Sequence, residues 1–529
     1  MTAMAWTEMC SRIVNRPAPR LARTQHISVQ GSSLNAVRRS RDLDEVAGGA
    51  VDLVVIGGGV TGAGVALDAA TRGLSVVLLE AHDLAFGTSR WSSKLVHGGL
   101  RYLGTGDVDV AYESAIERHH LMTTIAPHLI RPLPNVFPEL PSMDRKHAAL
   151  VRAGHWGGDV LRRAARTPAS LLPRPDRIDA GTVEHYAPSV RREGLRGGLR
   201  FWDGQLVDDA RLVVAIARTA AYYGARVLTR CRVLSATGTG VRVRDELSGS
   251  EFDLSARAVV NAAGVWAGTL ADDISLRPSR GTHLVMSQRT FGGLSASLMV
   301  PIPGSTTRFV FALPATLGRV YVGLTDEDAP GPIPDVPRAS EDEIDFLLDT
   351  IGLALERPVT RDDLLGTFSG LRPLLDAGEA SSADVSRRHV VQRGSDGVTT
   401  VVGGKLTTYR RMAEDAVDLA ARDAGLSAGP CVTRRVPLVG AGPERDPRAS
   451  GELLRRFGSE AGAVLDSSPG LGGPIAEGLD VSRAELRFAV RHEGASTVDD
   501  LLDRRTRIGL VAADRARAED AAREALDES

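Results

Sequence analysis

Three short apolar runs along the chain end in glycine. The first, Val51-Asp52-Leu53-Val54-Val55-Ile56, is β-branched and almost wholly apolar, the pattern of a strand buried on both faces of a parallel sheet, and it runs into Gly57-Gly58-Gly59. An Ala-rich helical pattern follows over 61–72 and stops at Gly73. A second apolar run over 75–79 then ends at Glu80, completing a βαβ unit. The strand-and-glycine arrangement recurs at 258–264 and 399–404, so one domain is predicted to be assembled from three separated segments. Alternating patterns over 282–287 and 308–324 predict an antiparallel sheet. Beyond about residue 430 the chain becomes charged and helix-prone. Helices are expected over 480–492 and 497–510, followed by a polar, Ala-rich tail and preceded by a Gly/Pro-rich linker at 440–448.

Length supports this division. At 529 residues the chain exceeds the roughly 250–300 residues at which a single core stops growing, so two or three domains are expected. The hydrophobic fraction of 43% and charged fraction of 25% are those of an ordinary globular protein. Lys+Arg 64 against Asp+Glu 66 leaves no global field to recruit nucleic acid. Cys10, Cys231 and Cys431 are odd in number and too far apart for a metal motif, which points to a reducing compartment and no disulfide framework. No stretch approaches the ~18–20 apolar residues of a spanning helix. The first 41 residues carry arginines at 12, 16, 20, 23, 38, 39 and 41 against one acid, Glu8. This composition fits a transit peptide or a disordered basic tail, and the absence of an amphipathic period favours the tail.

Chemistry enters with the first glycine run. Gly57, Gly59 and Gly62 supply G-x-G-x-x-G between a strand and a helix. Gly57 permits the tight turn, Gly59 the approach of backbone to a pyrophosphate, and Gly62 close packing of helix on strand. Glu80, 18 residues beyond Gly62, is placed to accept from a ribose hydroxyl. A dinucleotide is implied, though the motif does not choose between NAD and FAD. The following segment, Thr88-Ser89-Arg90-Trp91-Ser92-Ser93-Lys94-Leu95-Val96-His97-Gly98-Gly99-Leu100-Arg101-Tyr102-Leu103, mixes hydroxyls, cations and glycines with apolar residues, which suits a loop wrapping a flavin better than a polar surface loop.

That string, with N-A-A-G-V-W at 261–266, G-T-H at 281–283, S-G-L-R-P at 369–373 and G-G-K-L-T-T-Y-R at 403–410, resembles the FAD-dependent, quinone-linked glycerol-3-phosphate dehydrogenases of the bacterial type. The resemblance covers roughly residues 50–425, and extends to the helical end through Arg504-Arg505-Thr506-Arg507. It implies an α/β fold with a FAD-binding Rossmann-like domain of the glutathione-reductase/D-amino-acid-oxidase type. The expected divisions are a basic, disordered tail at 1–49; a discontinuous FAD domain at 50–125, 205–275 and 362–425; an antiparallel-sheet substrate domain at 126–204 and 276–361; and a helical domain at 426–529.

The resemblance also implies residue roles. FAD contacts are expected from Thr88, Ser89, Ser92, Ser93, Lys94, His97, Gly264, Gly404, Lys405, Leu406, Thr407 and Thr408. The expected substrate, sn-glycerol 3-phosphate, carries about 1.5–2 negative charges on its phosphate. Arg101 and Arg372 are expected to bind it as forks, with Arg308 and Arg319 as weaker candidates. His283 is expected as the base that takes the hydroxyl proton, the alternative being a hydrogen-bonded core histidine. Lys405 is expected to stabilise negative charge on the reduced flavin, or else merely to start a helix. Asp208, Asp209 and Arg211 read as the capped start of a helix. Electrons are expected to pass to a membrane quinone, with molecular oxygen as the alternative. The runner-up chemistry is an amine or amino-acid oxidase of the same superfamily. Peripheral attachment to the cytoplasmic face of the membrane is expected, through Arg483, Arg487, Arg491, Arg504, Arg505 and Arg507 or through the basic tail, by a chain that acts alone or as a homodimer.

Overall fold

The computed structural model describes residues 27–99, 107–141, 145–271, 273–305, 308–376 and 388–528, with backbone alone for 145–150, 153 and 155. The first apolar run forms the strand Ala50–Ile56, covered on both faces because it lies at the centre of a parallel sheet. Val76–Leu79 pairs on one side and Glu251–Asn261 on the other. Arg226–Leu228 and Thr399–Gly403 extend the sheet in parallel, and His389–Arg393 closes one edge antiparallel. The three strand-and-glycine segments therefore meet in one sheet.

Register decides where they deliver their glycines. Ile56 is level with both Leu79 and Asn261, and Asn261 is level with Thr400. Gly57, Glu80, Gly264 and Gly403-Gly404 consequently gather at the carboxyl edge, where open α/β sheets bind ligands. Helix Val60–Thr71 packs against Asp209–Tyr222 and Tyr409–Asp423. A Cβ on Gly64 would fall 2.7 Å from the Tyr409 ring, so glycine sets the approach of two of these helices. Asp208 accepts from Arg211 N–H at 2.9 Å and caps its helix as the sequence predicts.

A second, mostly antiparallel sheet runs in the order Glu327–Asp328, Leu276–Ser287, Arg319–Gly323, Phe309–Ala315, Ser297–Pro301, Ile130–Pro138, Gly198–Leu206, Leu95–Val96. Helix Glu341–Gly352, opened by a Ser340/Glu343 capping box, joins its core. Leu364–Leu375 pairs along the length of Leu276–Ser287. Residues 364–375 and 95–96, expected within the cofactor domain, thus belong to the second sheet. Both were assigned from motifs, and neither motif carries a periodicity that reveals its strand partner.

Both chain ends differ from expectation. Residues 27–49 form two helices, Val29–Ser32 and Ala36–Val46, and are no disordered tail. Arg38 donates to Ala221 O at 2.9 Å, and Arg39 donates to Thr229 O at 2.8 Å and pairs with Asp245. These arginines anchor residues 27–49, while residues 1–26 of the expected tail lie outside the described residues. The helix expected over 497–510 is a π-helical turn, Asp500–Arg505, followed by a short 3-10 turn, Ile508–Leu510. Arg507, with φ +63°, breaks the helix between them. The Ala-rich tail is instead a helix, Ala512–Asp527, whose Ala518, Ala521, Ala522 and Ala525 are buried. Alanine combines high helix propensity with a side chain small enough for close packing.

The arginines expected to face lipid are in part buried. Arg504 and Arg505 both grip Asp83, at 2.7 and 2.9 Å, and Arg507 lies 3.3 Å from Asp208. Each has a side chain at most 4% exposed, so none of the three can reach a headgroup. Arg483 and Arg487, nearer the surface, pair with Glu524 of the last helix and with Glu528, its C-cap, and Arg491 donates to Ser467 O at 2.8 Å. Glu493 lies at the heart of this mesh, accepting two bonds from Arg211 at 2.9 and 3.0 Å, with Arg218 and Arg505 beside it. Burial alone would raise its pKa, but the three arginines outweigh burial and hold it below the usual value.

Glu493→Gln should therefore cost about 3–5 kcal/mol by leaving buried guanidinium charge uncompensated, read as a fall in the urea unfolding midpoint. Because the folded pKa is depressed, the wild-type contribution should persist above the usual 4.5 and fade as pH falls below it. A midpoint equal to that of wild type at neutral pH would remove the mesh as a source of stability.

Candidate active site

A cavity of about 1010 Å³ lies between the carboxyl edge of the parallel sheet and the face of the second sheet. Gly57 turns the chain at φ +106°, and a Cβ there would fall 2.6 Å from Ala262 O on the neighbouring strand segment. A Cβ on Gly62 would fall 1.9 Å from Gly57 O, so helix and loop touch backbone to backbone. Gly59 is the N-cap and offers no side chain to occupy the first turn, although Ser89 Oγ accepts from Val60 N–H at 2.9 Å. Glu80 accepts from Gly58 N–H at 2.6 Å and His82 N–H at 2.8 Å. Burial pushes the Glu80 pKa up against those two bonds. The helix N-terminus, the bare Gly59 and the Glu80 carboxylate together can take a pyrophosphate and a ribose.

The loop after Glu80 is fastened from below. Thr88 Oγ1 donates to Leu371 O at 2.6 Å, and Ser92 Oγ donates to Asp209 at 2.7 Å. Lys94, expected as a cofactor contact, is off the cavity wall; its Nζ donates to Arg90 O and Ser92 O at 3.0 Å and pairs with Asp209 at 3.1 Å. Burial pulls its pKa down to about 8. Asp209, read as part of a helix cap, is thus the anchor of this loop. Thr408, also expected to touch the cofactor, is off the wall and donates back to Lys405 O at 3.3 Å. Thr88, Ser89, Ser92, Ser93, His97, Gly264, Gly404, Lys405, Leu406 and Thr407 do line the cavity. His97 pairs with Asp203 at 3.1 Å, and Lys405 Nζ donates to Ser114 Oγ at 2.6 Å.

The second sheet supplies the opposite wall. His283 is level with Phe368, Gly281 with Gly370, and Ser279 with Arg372, which sets these side chains on one face of two paired strands. A Cβ on Gly281 would fall 2.3 Å from Arg372 Nη2, and one on Gly323 would fall 2.3 Å from His283 Cδ2. Two glycines therefore clear the room that the guanidinium and the imidazole occupy. Arg372 is held by Asp326 at 2.8 Å, Ser279 Oγ at 3.0 Å and Thr325 O at 3.1 Å, and it lines the cavity.

His283 is fully buried on the cavity wall, stacked on Phe368 at 4.6 Å, with Nε2 2.9 Å from Ser93 Oγ and, among the described residues, no hydrogen-bond partner at Nδ1. Burial, then Lys94 and Arg372, holds its pKa well below the usual 6.5. The ring is neutral near pH 7 and keeps one nitrogen able to accept a proton. Arg308 also lines the cavity, and among the described residues its guanidinium makes no hydrogen bond or ion pair. Arg319 does not reach the cavity: it is buried against Asp514 at 2.7 Å and donates to Arg507 O and Ile508 O. Arg101 lies outside the described residues. Asp326, Gly323 and Phe368 escape sequence reasoning, because their use depends on strand register.

Residues 52–410 match the FAD dependent oxidoreductase family, and residues 431–528 match the C-terminal domain of alpha-glycerophosphate oxidase. The glycerol-3-phosphate dehydrogenase 1 of Mycobacterium tuberculosis is 56% identical over 508 residues, spanning 94% of this chain and 98% of that protein. The chain belongs to the FAD-dependent glycerol-3-phosphate dehydrogenases. The solved glycerol-3-phosphate dehydrogenase of Bacillus halodurans, complexed with FAD, superposes on the chain with a TM-score of 0.72 at 28% identity, covering 93% and 94% of the two chains. The L-alpha-glycerophosphate oxidase of Mycoplasma pneumoniae, at 18% identity and TM-score 0.56 over 74% and 99%, shares the fold alone. FAD is the cofactor of this dehydrogenase, and the cavity suits it, with backbone laid bare by glycine at one end and polar groups along its length.

Gly62→Ala should yield a dehydrogenase purified without FAD, since the new methyl collides with Gly57 O and forces the loop open. Flavin absorbance per mole of folded protein measures this. Full occupancy would show that the contact is dispensable.

Proposed function

We propose that the protein oxidises sn-glycerol 3-phosphate at C2 to dihydroxyacetone phosphate and passes the electrons to a membrane quinone, while attached peripherally to the inner face of the cell membrane. The observation that carries this reading is the pairing, on one glycine-cleared sheet face, of a neutral His283 with an unpartnered ring nitrogen and the fork of Arg372. Bound FAD supplies the hydride acceptor. The chain does the rest.

Arg372, pinned by Asp326 and Ser279, presents a preorganised cation to the substrate phosphate. Arg308 adds a second charge, and Arg101 is proposed as a third. With Nε2–H donated to Ser93 Oγ, the Nδ1 lone pair of His283 receives the C2 hydroxyl proton. Lys405 places positive charge beside the cofactor, where negative charge grows during reduction. Gly57, Gly59, Gly62 and Glu80 hold the dinucleotide, with Thr88, Ser89, Ser93, His97, Gly264, Gly404, Leu406 and Thr407 along it. An amine substrate is disfavoured, because Arg372 and Arg308 would repel its cation.

The acceptor is read from the remaining wall. Val151, Phe201, Met299, Ile302, Phe309 and Phe311 form an apolar sector that a three-carbon phosphate does not need and that suits an apolar ring. Among the described residues no helix is long and apolar enough to cross a membrane, so a lipid-dissolved acceptor would be met at the surface.

Under anaerobic conditions the bound flavin should bleach with glycerol 3-phosphate and only weakly with glycerol, then reoxidise faster with a short-chain quinone than with oxygen. In Arg372→Ala, kcat/KM should fall roughly ten- to a few hundred-fold with FAD content unchanged, and the preference over glycerol should shrink. A variant that keeps the wild-type preference removes Arg372 from the phosphate site.

The depressed pKa of His283 sets a pH dependence. A base with a lowered pKa stays unprotonated further into acid, so the acidic limb of kcat/KM should lie below 6.5 and disappear in His283→Asn. A limb above 6.5 that survives the substitution would assign proton removal elsewhere.

A further inference from the structure

Two adjoining helices leave large apolar side chains in solvent. On Arg145–Ala164 these are Trp156, 75% exposed, and Val160, 56% exposed, one turn apart. On Val108–His120 they are Val108 and Tyr112, at the same spacing. The helices meet through Ala111 and Ala115 against Leu161 and Ala165, so the two exposed pairs belong to one packed unit. An exposed tryptophan on a helix face is uncommon without a partner that buries it.

The charge around the tryptophan says what kind of partner fits. At 100° per residue, Arg152 and Arg163 project within about 40° of Trp156 around the helix axis. Both are more than half exposed, and their partners Glu139 and Asp159 each hold a second arginine, Arg177 and Arg162, so the two guanidinium groups are free to turn to other anions. The helix sequence holds five Arg and Lys residues against one acid, Asp159. An apolar stripe with an aromatic anchor, flanked by arginine, is the pattern of a helix lying in a membrane interface. The same helix faces the active site on its other flank, where Val151, Gly154 and Gly157 line the cavity beside its apolar sector.

We propose that helix Arg145–Ala164, with Val108 and Tyr112 beside it, is the surface that docks onto an anionic bilayer, setting the apolar end of the active-site cavity against lipid. This rests on the reading of a lipid-dissolved acceptor and identifies the face through which that acceptor is met. Arg504, Arg505 and Arg507 are buried and supply nothing to such a face, whereas this helix lines the cavity with Val151, Gly154 and Gly157.

The test compares the holoenzyme with its Trp156→Ser/Val160→Ser double variant by flotation with vesicles of phosphatidylglycerol and phosphatidylcholine. Both positions are exposed and outside the cavity wall, so turnover with a water-soluble acceptor should match wild type. Partition onto the vesicles should weaken about tenfold. Equal flotation of both proteins would overturn this docking face while leaving membrane attachment intact. If neither floats, attachment itself fails and the docking face with it. If wild type is a dimer in solution and the double variant a monomer, the face is a contact between two copies of the chain, and the proposal is overturned.

Discussion

The site depends on how closely backbone can approach backbone where strands end. Gly57 against Ala262 O, and Gly62 against Gly57 O, bring the strand Ala50–Ile56, the helix Val60–Thr71 and the strand-and-glycine segment at 258–264 to contact distances that any Cβ would obstruct. Gly281 and Gly323 repeat the device in the second sheet, where they admit the side chains of Arg372 and His283. Each glycine within a strand or helix sacrifices roughly 0.5–1 kcal/mol of backbone entropy. The fold accepts that loss because the level ends of Ile56, Leu79 and Asn261 would otherwise present bulk where a cofactor must lie.

Electrostatics then assigns the charged groups their states. Lys94 and His283 are both buried, and Lys94 helps keep the imidazole neutral. Asp209 compensates Lys94 at 3.1 Å, and Asp326 compensates Arg372 at 2.8 Å. The cavity thus combines a neutral base with a cation already held in place by Asp326 and Thr325 of the same wall.

The parallel sheet was legible in the sequence because its strands are buried on both faces and read as unbroken apolar runs ending in glycine. The cofactor loop was legible as a segment, yet Lys94 and Thr408 could not be told from their cavity-facing neighbours, since one residue along a loop reverses the direction of a side chain. Arginine was the least legible residue. Arg308 and Arg319 stand eleven positions apart in the same alternating stretch; one faces the cavity and the other is buried against Asp514. Arg504, Arg505 and Arg507 looked like a solvated basic cluster because their partners, Asp83 and Asp208, lie hundreds of residues upstream. Local composition carries no trace of such a partner. Trp156 shows the converse, a large apolar residue that remains outside.

The two ends of the described chain are knitted together. Leu34 N–H bonds to His492 O at 3.0 Å, Asn35 Nδ2 to Arg491 O at 3.1 Å, and Ser33 Oγ meets His492 Nδ1 at 2.7 Å. Asp83, beside the dinucleotide edge, likewise waits for Arg504 and Arg505. During synthesis the cofactor domain is therefore translated long before its last structural partners emerge from the ribosome. Until then Asp83 lacks Arg504 and Arg505, and residues 33–35 lack their bonds to residues 491 and 492. A chain cut before residue 493 lacks the segment that pairs with residues 33–35.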